Sequence, residues 1–317
     1  MVTAMKPPMP IGESAKEPTH TYYADADVLS ADFEEPVHEK IKPRAQVTLS
    51  PDGHYQFRQA EPFRLDGLIS YRGGYTQVAG HRSPKHLHGF ATLATSVVED
   101  LNVLDVLTAD RVVAQIFTEH PPYDPDNGQT DGVPTVSFLG TRFDNLRIDG
   151  HRVELDRQED ILGPKPAGAK SYFEDNAVLS RISQQYTDIN NTTGLPDWAT
   201  ERYRWDQGAA QQQDSLKCSL VKRVTKAPGM PFGHVIDVPH FGKIFLAELT
   251  LKREKNVRPG PEAYAFHLTM IRLELGCPVQ ATSCIVNAES NGTNYRLEKR
   301  RLRAHCRRRW RDARISP

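Results

Sequence analysis

Short segments in which apolar and polar side chains alternate recur along most of this chain, and they restrict the fold more than any other feature. Residues 93–98 (LATSVV) and 111–118 (RVVAQIFT) follow the two-residue period of a β-strand. Asp149-Gly150 lies between two further apolar segments and is typical of a two-residue hairpin turn. The pattern predicts many short strands joined by tight turns.

The helical signals of the sequence are confined to one region. A capping box at Ser171 to Glu174 precedes a stripe of apolar residues, and a second short helix is predicted to start at Asp197. Parallel strands would need a helix between each pair, and such helices are missing from the pattern. We therefore predict a mainly β protein, an antiparallel, jelly-roll-like β-sandwich with a partly helical insertion at about 156–214.

The charge distribution divides the chain into unequal parts. The 317 residues carry 40 Lys and Arg against 40 Asp and Glu, yet residues 296–317 hold ten basic and two acidic residues. We predict a disordered arm at 1–20, one β-sandwich domain at 21–295 and a disordered basic tail at 296–317. The tail lacks aromatic residues apart from Trp310, so we do not assign it nucleic-acid binding. No apolar run approaches the roughly 20 residues of a membrane-spanning helix, so we expect no membrane span.

Two carboxylates in apolar strand segments are the first candidates for chemistry. Glu248 is expected to share a strand face with Ile244 and Leu246, and Glu274 to share one with Met270 and Arg272. If the strands pair, Arg272 bridges the two carboxylates. A catalytic acid and base, as in glycosidases, is one interpretation. The other is a buried ion-pair cluster that fixes strand register, and we favour it because the sequence places no cleft.

Three histidines form the candidate metal site. His81, His86 and His88 lie within eight residues, and neutral imidazole is a common ligand of transition metals. The alternative is a solvated turn, since Ser83-Pro84-Lys85 lies between them. We favour the turn and therefore expect no cofactor, with a transition metal as the alternative.

Aromatic side chains and cysteines leave further alternatives open. Trp198, Tyr203 and Trp205 form either a sugar-stacking surface or a helix face that packs on the sandwich. Four cysteines do not make a disulfide scaffold in a chain of this length. Cys277 could form a disulfide with Cys284 or Cys218, and free buried thiols are the alternative.

Several segments resemble the choice-of-anchor P proteins, a β-rich group of bacterial proteins of unassigned function. The resemblance spans roughly residues 22–292 and is carried by residues 63–71 (FRLDGLISY), 74–81 (GYTQVAGH), 107–112 (LTADRV), 138–150 (FLGTRFDNLRIDG), 241–249 (FGKIFLAEL) and 270–278. These motifs describe strands and turns, so no site residue is carried over. The resemblance implies an exported or cell-surface β-sandwich with an adhesive or structural role, although the first residues show no export signal.

The function expected from the sequence is therefore non-catalytic. We expect a structural or binding role toward a surface polymer, a glycan or a protein. The alternatives are a hydrolase or metal-dependent enzyme on the same sandwich, or a carbohydrate-binding module.

Overall fold

The computed structural model describes residues 20–65, 67–82, 89–120, 133–167, 171–206, 208, 210, 214–254, 263–276 and 278–291. Strands dominate these residues. In chain order the elements are β1 (Ala24–Glu35), β2 (Glu39–Arg44), β3 (Val47–Thr48), β4 (His54–Ala60), β5 (Phe63–Leu65), β6 (Ile69–Tyr71), β7 (Gly73–Arg82), β8 (Phe90–Val103), β9 (Leu107–His120), β10 (Thr135–Ser137), β11 (Arg142–Asp144), β12 (Arg147–Ile148), β13 (His151–Arg152), β14 (Glu154–Arg157), α1 (Asn176–Asn190), α2 (Asp197–Arg202), β15 (Ser215–Ser219), β16 (Val221–Lys226), β17 (Met230–Phe232), β18 (Val235–Val238), β19 (Gly242–Glu254), β20 (Ala263–Leu275) and β21 (Gln280–Asn291).

The described strands form two large antiparallel sheets. The first sheet has the order β17-β18-β19-β20-β21-β1-β2, with β15 on β19 and β3 on β1. The second sheet consists of β4 to β13, with β7, β8 and β9 at its centre, and β14 pairs with β16 separately. The mainly β fold with stacked antiparallel sheets confirms the predicted β-sandwich.

The two sheets pack face to face around one main core. Val28 and Ile271 of the first sheet and Ala94 and Ile116 of the second are among its fully buried members. Polar bonds also cross between the layers, since the Ser96 hydroxyl donates to the carbonyl of Asp27 at 2.8 Å. Alternating side chains that point inward therefore hold the sheets together.

The predicted helical insertion is confirmed, but the start of its first helix differs from the prediction. The side chain of Asp175, and not that of Ser171, accepts hydrogen bonds from the backbone of Ala177 and Val178. Ser171 and Glu174 instead form a turn before the helix, closed by a bond between their backbone groups. An aspartate directly before the first turn satisfies the amide groups of that turn, so the helix begins four residues later than the capping box predicted.

A second, smaller core lies on the outer side of the first sheet. It fills the space between the end of α1, the short helix α2 and strands β17 to β19. Its buried members are Ile189, Ala199, Tyr203, Phe232, Val235 and Phe245. This core places α2 directly over the outer face of the first sheet.

One backbone feature reverses the alternation of side chains along β19. Ala247 has a φ of +47°, in the left-handed region that strands do not ordinarily use. Leu246 points into the main core, and so do Ala247 and Leu249. Two consecutive residues, Leu246 and Ala247, therefore both face inward. Glu248 consequently lies on the outer face.

The sandwich hairpin predicted at Asp149-Gly150 is confirmed. Both residues have positive φ, 48° and 73°, as a type I′ turn requires, and Ile148 pairs with His151 across them. Among the described residues, no helix is long and apolar enough to cross a membrane. Residues 1–19 and 292–317 lie outside the described part, so the predicted arm, tail and domain limits stay predictions.

Candidate functional site

The paired carboxylates lie together on the outer face of the first sheet, beneath α2. The prediction that Glu248 shares a face with Ile244 and Leu246 is wrong, because the left-handed residue Ala247 shifts the alternation by one position. Met270 likewise points into the main core, away from Glu274. The predicted shared face of Arg272 and Glu274 agrees with the structure, since both point outward from β20.

Arg272 joins the two carboxylates as the sequence predicted. Its Nε and Nη2 atoms donate to the two oxygens of Glu248, the Nη2 bond being 3.0 Å long, and its Nη1 donates to Glu274. Arg202 of α2 adds a second guanidinium, 3.0 Å from Glu274 and 3.7 Å from Glu248. Two cations therefore share two carboxylates, an arrangement in which bidentate bonds fix geometry as well as charge.

A histidine and a tyrosine close the inner side of this cluster. His234 Nε2 lies 3.8 Å from Glu248 Oε1 and 3.2 Å from the hydroxyl of Tyr203. Burial lowers the pKa of His234, although the nearby Glu248 carboxylate opposes that shift. Burial, together with the nearby Glu248, raises the pKa of Tyr203. Both side chains are therefore neutral near pH 7 and act as polar neighbours of the ion pairs.

The carboxylates themselves are held in their ionised form. Burial alone would raise the pKa of Glu248, but Arg272, together with the nearby His234 and Arg202, brings this pKa well below its usual value. The pKa of Glu274 is also lowered, because Arg272 and Arg202 outweigh the effect of burial. A general acid must hold a proton near neutral pH, and neither group does. The geometry is that of an ion-pair cluster.

The three predicted sugar-stacking rings do not form one exposed platform. Tyr203 is only 4% exposed and belongs to the second core. Trp198 packs against Phe232 at a centroid distance of 5.5 Å, and the Lys243 ammonium covers it at 4.1 Å. Trp205 packs on Tyr186. These contacts agree with the interpretation that the three residues pack as part of a helix face.

The candidate metal histidines are only partly described. His81 is exposed at the end of β7, and His86 and His88 lie outside the described residues. Within the described residues, no group of three or more His, Cys, Asp or Glu side chains is placed to hold a metal ion. Cys218 is a buried free thiol, whereas Cys277 and Cys306 are outside that part.

The outer face of the second sheet carries exposed aromatic rings. Tyr55 and Phe57 of β4 are 58% and 50% exposed, and Phe57 stacks on Tyr75 of β7 at 5.8 Å. The Tyr55 hydroxyl donates to Gln77 at 3.4 Å. We call this surface the aromatic face and define it by its outward-pointing residues Tyr55, Phe57, Tyr75, Gln77, Leu93, Thr95, Gln115 and Phe117.

A polar row crosses the aromatic face from strand to strand. Phe57 pairs with Gln77, Gln77 with Thr95, and Thr95 with Gln115. Amide and hydroxyl groups thus lie between rings and aliphatic side chains, and none of the eight defining residues is charged. The half-buried amides of Gln77 and Gln115 offer hydrogen-bond donors and acceptors beside these rings, whereas Thr95 is only 3% exposed.

Two pockets of the described chain lie apart from the ion-pair cluster. A pocket of about 400 Å³ lies beside the β12–β13 hairpin, between Phe143 and Arg157, and a second lies between Ser137 and Gly163. Neither is lined by Glu248, Arg272 or Glu274.

One protein family matches this chain over most of its length. The profile described as "Domain of unknown function (DUF8256)" aligns with residues 20–252. The chain belongs to this family. No curated protein and no solved structure matches it. The DUF8256 region includes the whole aromatic face and Glu248, whereas Arg272 and Glu274 lie beyond it.

Within the DUF8256 region, sequence reasoning missed two groups of residues. Arg202, which completes the ion-pair cluster, was not among the predicted site residues. Tyr55 and Phe57 carried a usable signal, because two aromatic residues two positions apart in an otherwise polar strand (HYQFRQA) share one face.

Proposed function

We propose that this DUF8256 chain is a non-catalytic binding domain whose aromatic face binds an uncharged polymer, a polysaccharide. The exposure of Tyr55 and Phe57 beside Gln77 carries the proposal. Large rings are usually buried or at an interface, so exposed rings grouped on one flat face favour a contact surface.

The chemistry of the face favours a neutral carbohydrate as its ligand. The apolar faces of sugar rings pack on aromatic rings, and sugar hydroxyls pair with amides such as Gln77 and Gln115. The eight defining residues carry no charge, and Glu99 and Arg111, which lie beside them on the same face, are paired with each other, so the face favours an uncharged ligand.

The width of the face favours an extended ligand. Strands β4, β7, β8 and β9 lie side by side, and three spacings of about 4.8 Å separate the first from the last, roughly 14 Å in all. A surface of this width contacts several units of a chain molecule, whereas small ligands ordinarily bind in concave pockets.

Two further considerations support a non-catalytic, surface-exposed role. The carboxylates that offered an acid and a base are fully paired with Arg272 and Arg202. The resemblance to choice-of-anchor P proteins favours an exported or cell-surface location. A domain that binds polysaccharide is consistent with such a location.

The test is a binding screen with matched variants. The protein is applied to a glycan array and to insoluble cellulose, chitin and β-glucan, as wild type and as the Tyr55→Ala/Phe57→Ala double variant. Val37→Ala, at an exposed apolar residue between β1 and β2 of the other sheet, is the control. We expect binding by the wild type and the control and loss in the double variant. Absence of glycan binding, or equal binding by the double variant, contradicts the proposal.

A further inference from the structure

Two buried histidines meet at the end of the sandwich where β7, β8 and β9 terminate. His120 is the last residue of β9, and its cross-strand partner Phe90 is the first of β8. His20, which precedes β1, stacks on Phe90 at 4.4 Å with nearly parallel rings. The ring centroids of His20 and His120 are 4.9 Å apart, at an interplanar angle of 55°.

The two ring nitrogens of His120, Nδ1 and Nε2, are buried without a hydrogen-bond partner among the described residues. The side chain as a whole is completely buried. A buried imidazole without partners costs free energy, and buried polar groups of this kind ordinarily bind protein, water or an ion. A buried nitrogen lone pair next to a second imidazole is therefore a ligand position.

We propose that His20 and His120 bind one divalent transition-metal ion, with zinc the expected metal. Two imidazoles that bind one tetrahedral zinc through nitrogens about 2 Å away have ring centroids roughly 5 Å apart, and the distance found is 4.9 Å. Nitrogen ligands suit Zn²⁺, Cu²⁺ and Ni²⁺, whereas Mg²⁺ and Ca²⁺ require oxygen ligands. The other coordination positions are assigned to water.

The protonation state of His120 is the one that binds metal. Burial, with smaller effects from His20 and Lys165, brings the pKa of His120 well below its usual value. The ring is therefore neutral at physiological pH, and a neutral imidazole is the form that binds metal. No proton has to be displaced from this ligand near pH 7.

The bound metal would link the two sheets. His20 leads into β1 of the first sheet, while His120 ends β9 of the second. A shared ion joins segments that are 100 positions apart in the sequence, so its binding free energy adds to the free energy of unfolding. The site is distinct from the aromatic face, and His86 and His88 form no part of the proposal.

The test uses the full chain, freed of metal with a chelator and titrated with Zn²⁺ and with Co²⁺. We expect one ion per chain, a rise in Tm with Zn²⁺, and the visible absorption of tetrahedral Co²⁺. His20→Phe and His120→Leu should each weaken zinc binding at least tenfold, because each removes a ligand. His81→Ala, an exposed histidine at the same end, is the control and should bind like the wild type.

Several outcomes overturn the proposal. The proposal fails if Zn²⁺ does not raise Tm, if the Co²⁺ spectrum is octahedral, or if the His20→Phe variant binds zinc with unchanged affinity. If His120→Leu does not fold, as judged by circular dichroism, His20→Phe decides alone, since this residue lies outside the strands and its ring shape is kept.

Discussion

Arg272 on β20 holds the carboxylate of Glu248 on β19 through two hydrogen bonds, and it does so on the outer face of the sheet beneath a helix. Both side chains are less than one-fifth exposed. Removing one partner of such a pair leaves a charge that water reaches poorly, which costs more than the pair contributes.

The Arg272→Met variant should therefore be less stable by about 3 kcal/mol in chemical denaturation. Adding Glu248→Gln to this variant should restore much of the loss, because the charges that then remain, Arg202 and Glu274, pair with each other at 3.0 Å. Lys226→Met is the matched control, since the pair of Lys226 with Glu154 is largely exposed and should contribute less than about 1 kcal/mol. Equal losses for Arg272→Met and Lys226→Met would contradict the buried cluster.

The stability of the sandwich should depend on pH through Asp25. Burial on β1, opposed by bonds from Thr48 and Gln46, raises the pKa of this carboxyl to about 6. Between its ordinary value near 3.9 and 6, the folded protein binds a proton that the unfolded chain has released. Asp25 therefore makes the free energy of unfolding fall as pH rises through this range, and the loss persists above pH 6.

The Asp25→Asn variant should lack this decline and be more stable than the wild type at pH 7, by up to about 2 kcal/mol. Urea denaturation at pH 4, 5, 6 and 7 measures the difference between the two proteins. The difference should grow from pH 4 to pH 6 and then stay constant. A difference that is the same at all four values would show that Asp25 titrates normally.

The left-handed conformation of Ala247 predicts a strong dependence on residue type. Ala247→Val should destabilise the protein by about 1–2 kcal/mol more than Ala288→Val does, since Ala288 is equally buried in the same core but lacks a positive φ. Ala247→Gly should be tolerated, because glycine adopts this conformation freely. Thermal unfolding of the three variants measures the order, and similar losses for both valine variants would count against the reversal of faces at this residue.

The thiol of Cys218 should be unreactive in the folded protein. Burial raises its pKa to about 12, so almost no thiolate forms at pH 8. Iodoacetamide followed by peptide mass spectrometry should find Cys218 unmodified in native protein and modified after denaturation in urea. Rapid modification of the native protein would contradict its burial.

The strands and the two helices followed from the sequence because their signals are local. Burial of alternate residues produces a two-residue period, and the dipeptide Asp149-Gly150 is typical of a type I′ turn. The bridge from Arg272 to both carboxylates also followed, since it requires only that two neighbouring strands pair.

The remaining features depend on contacts that sequence spacing does not reveal. Nothing in the residues around Ala247 indicates a left-handed backbone, so Glu248 was expected on the wrong face. Arg202 reaches Glu274 across 72 positions of the chain, and His20 reaches His120 across 100. Only the packing of α2 and of the sandwich end brings these groups together.

The binding role of the aromatic face is tested most directly by one measurement, the affinity for the polysaccharide that the wild type binds in the glycan screen. It is measured for the wild type, Phe57→Tyr and Phe57→Ala by co-sedimentation or calorimetry. We predict that Phe57→Tyr binds like the wild type and that Phe57→Ala binds at least tenfold more weakly, since about 1.4 kcal/mol of ring stacking is lost. Unchanged affinity in Phe57→Ala, with the protein folded, would contradict the proposal that this face binds the ligand.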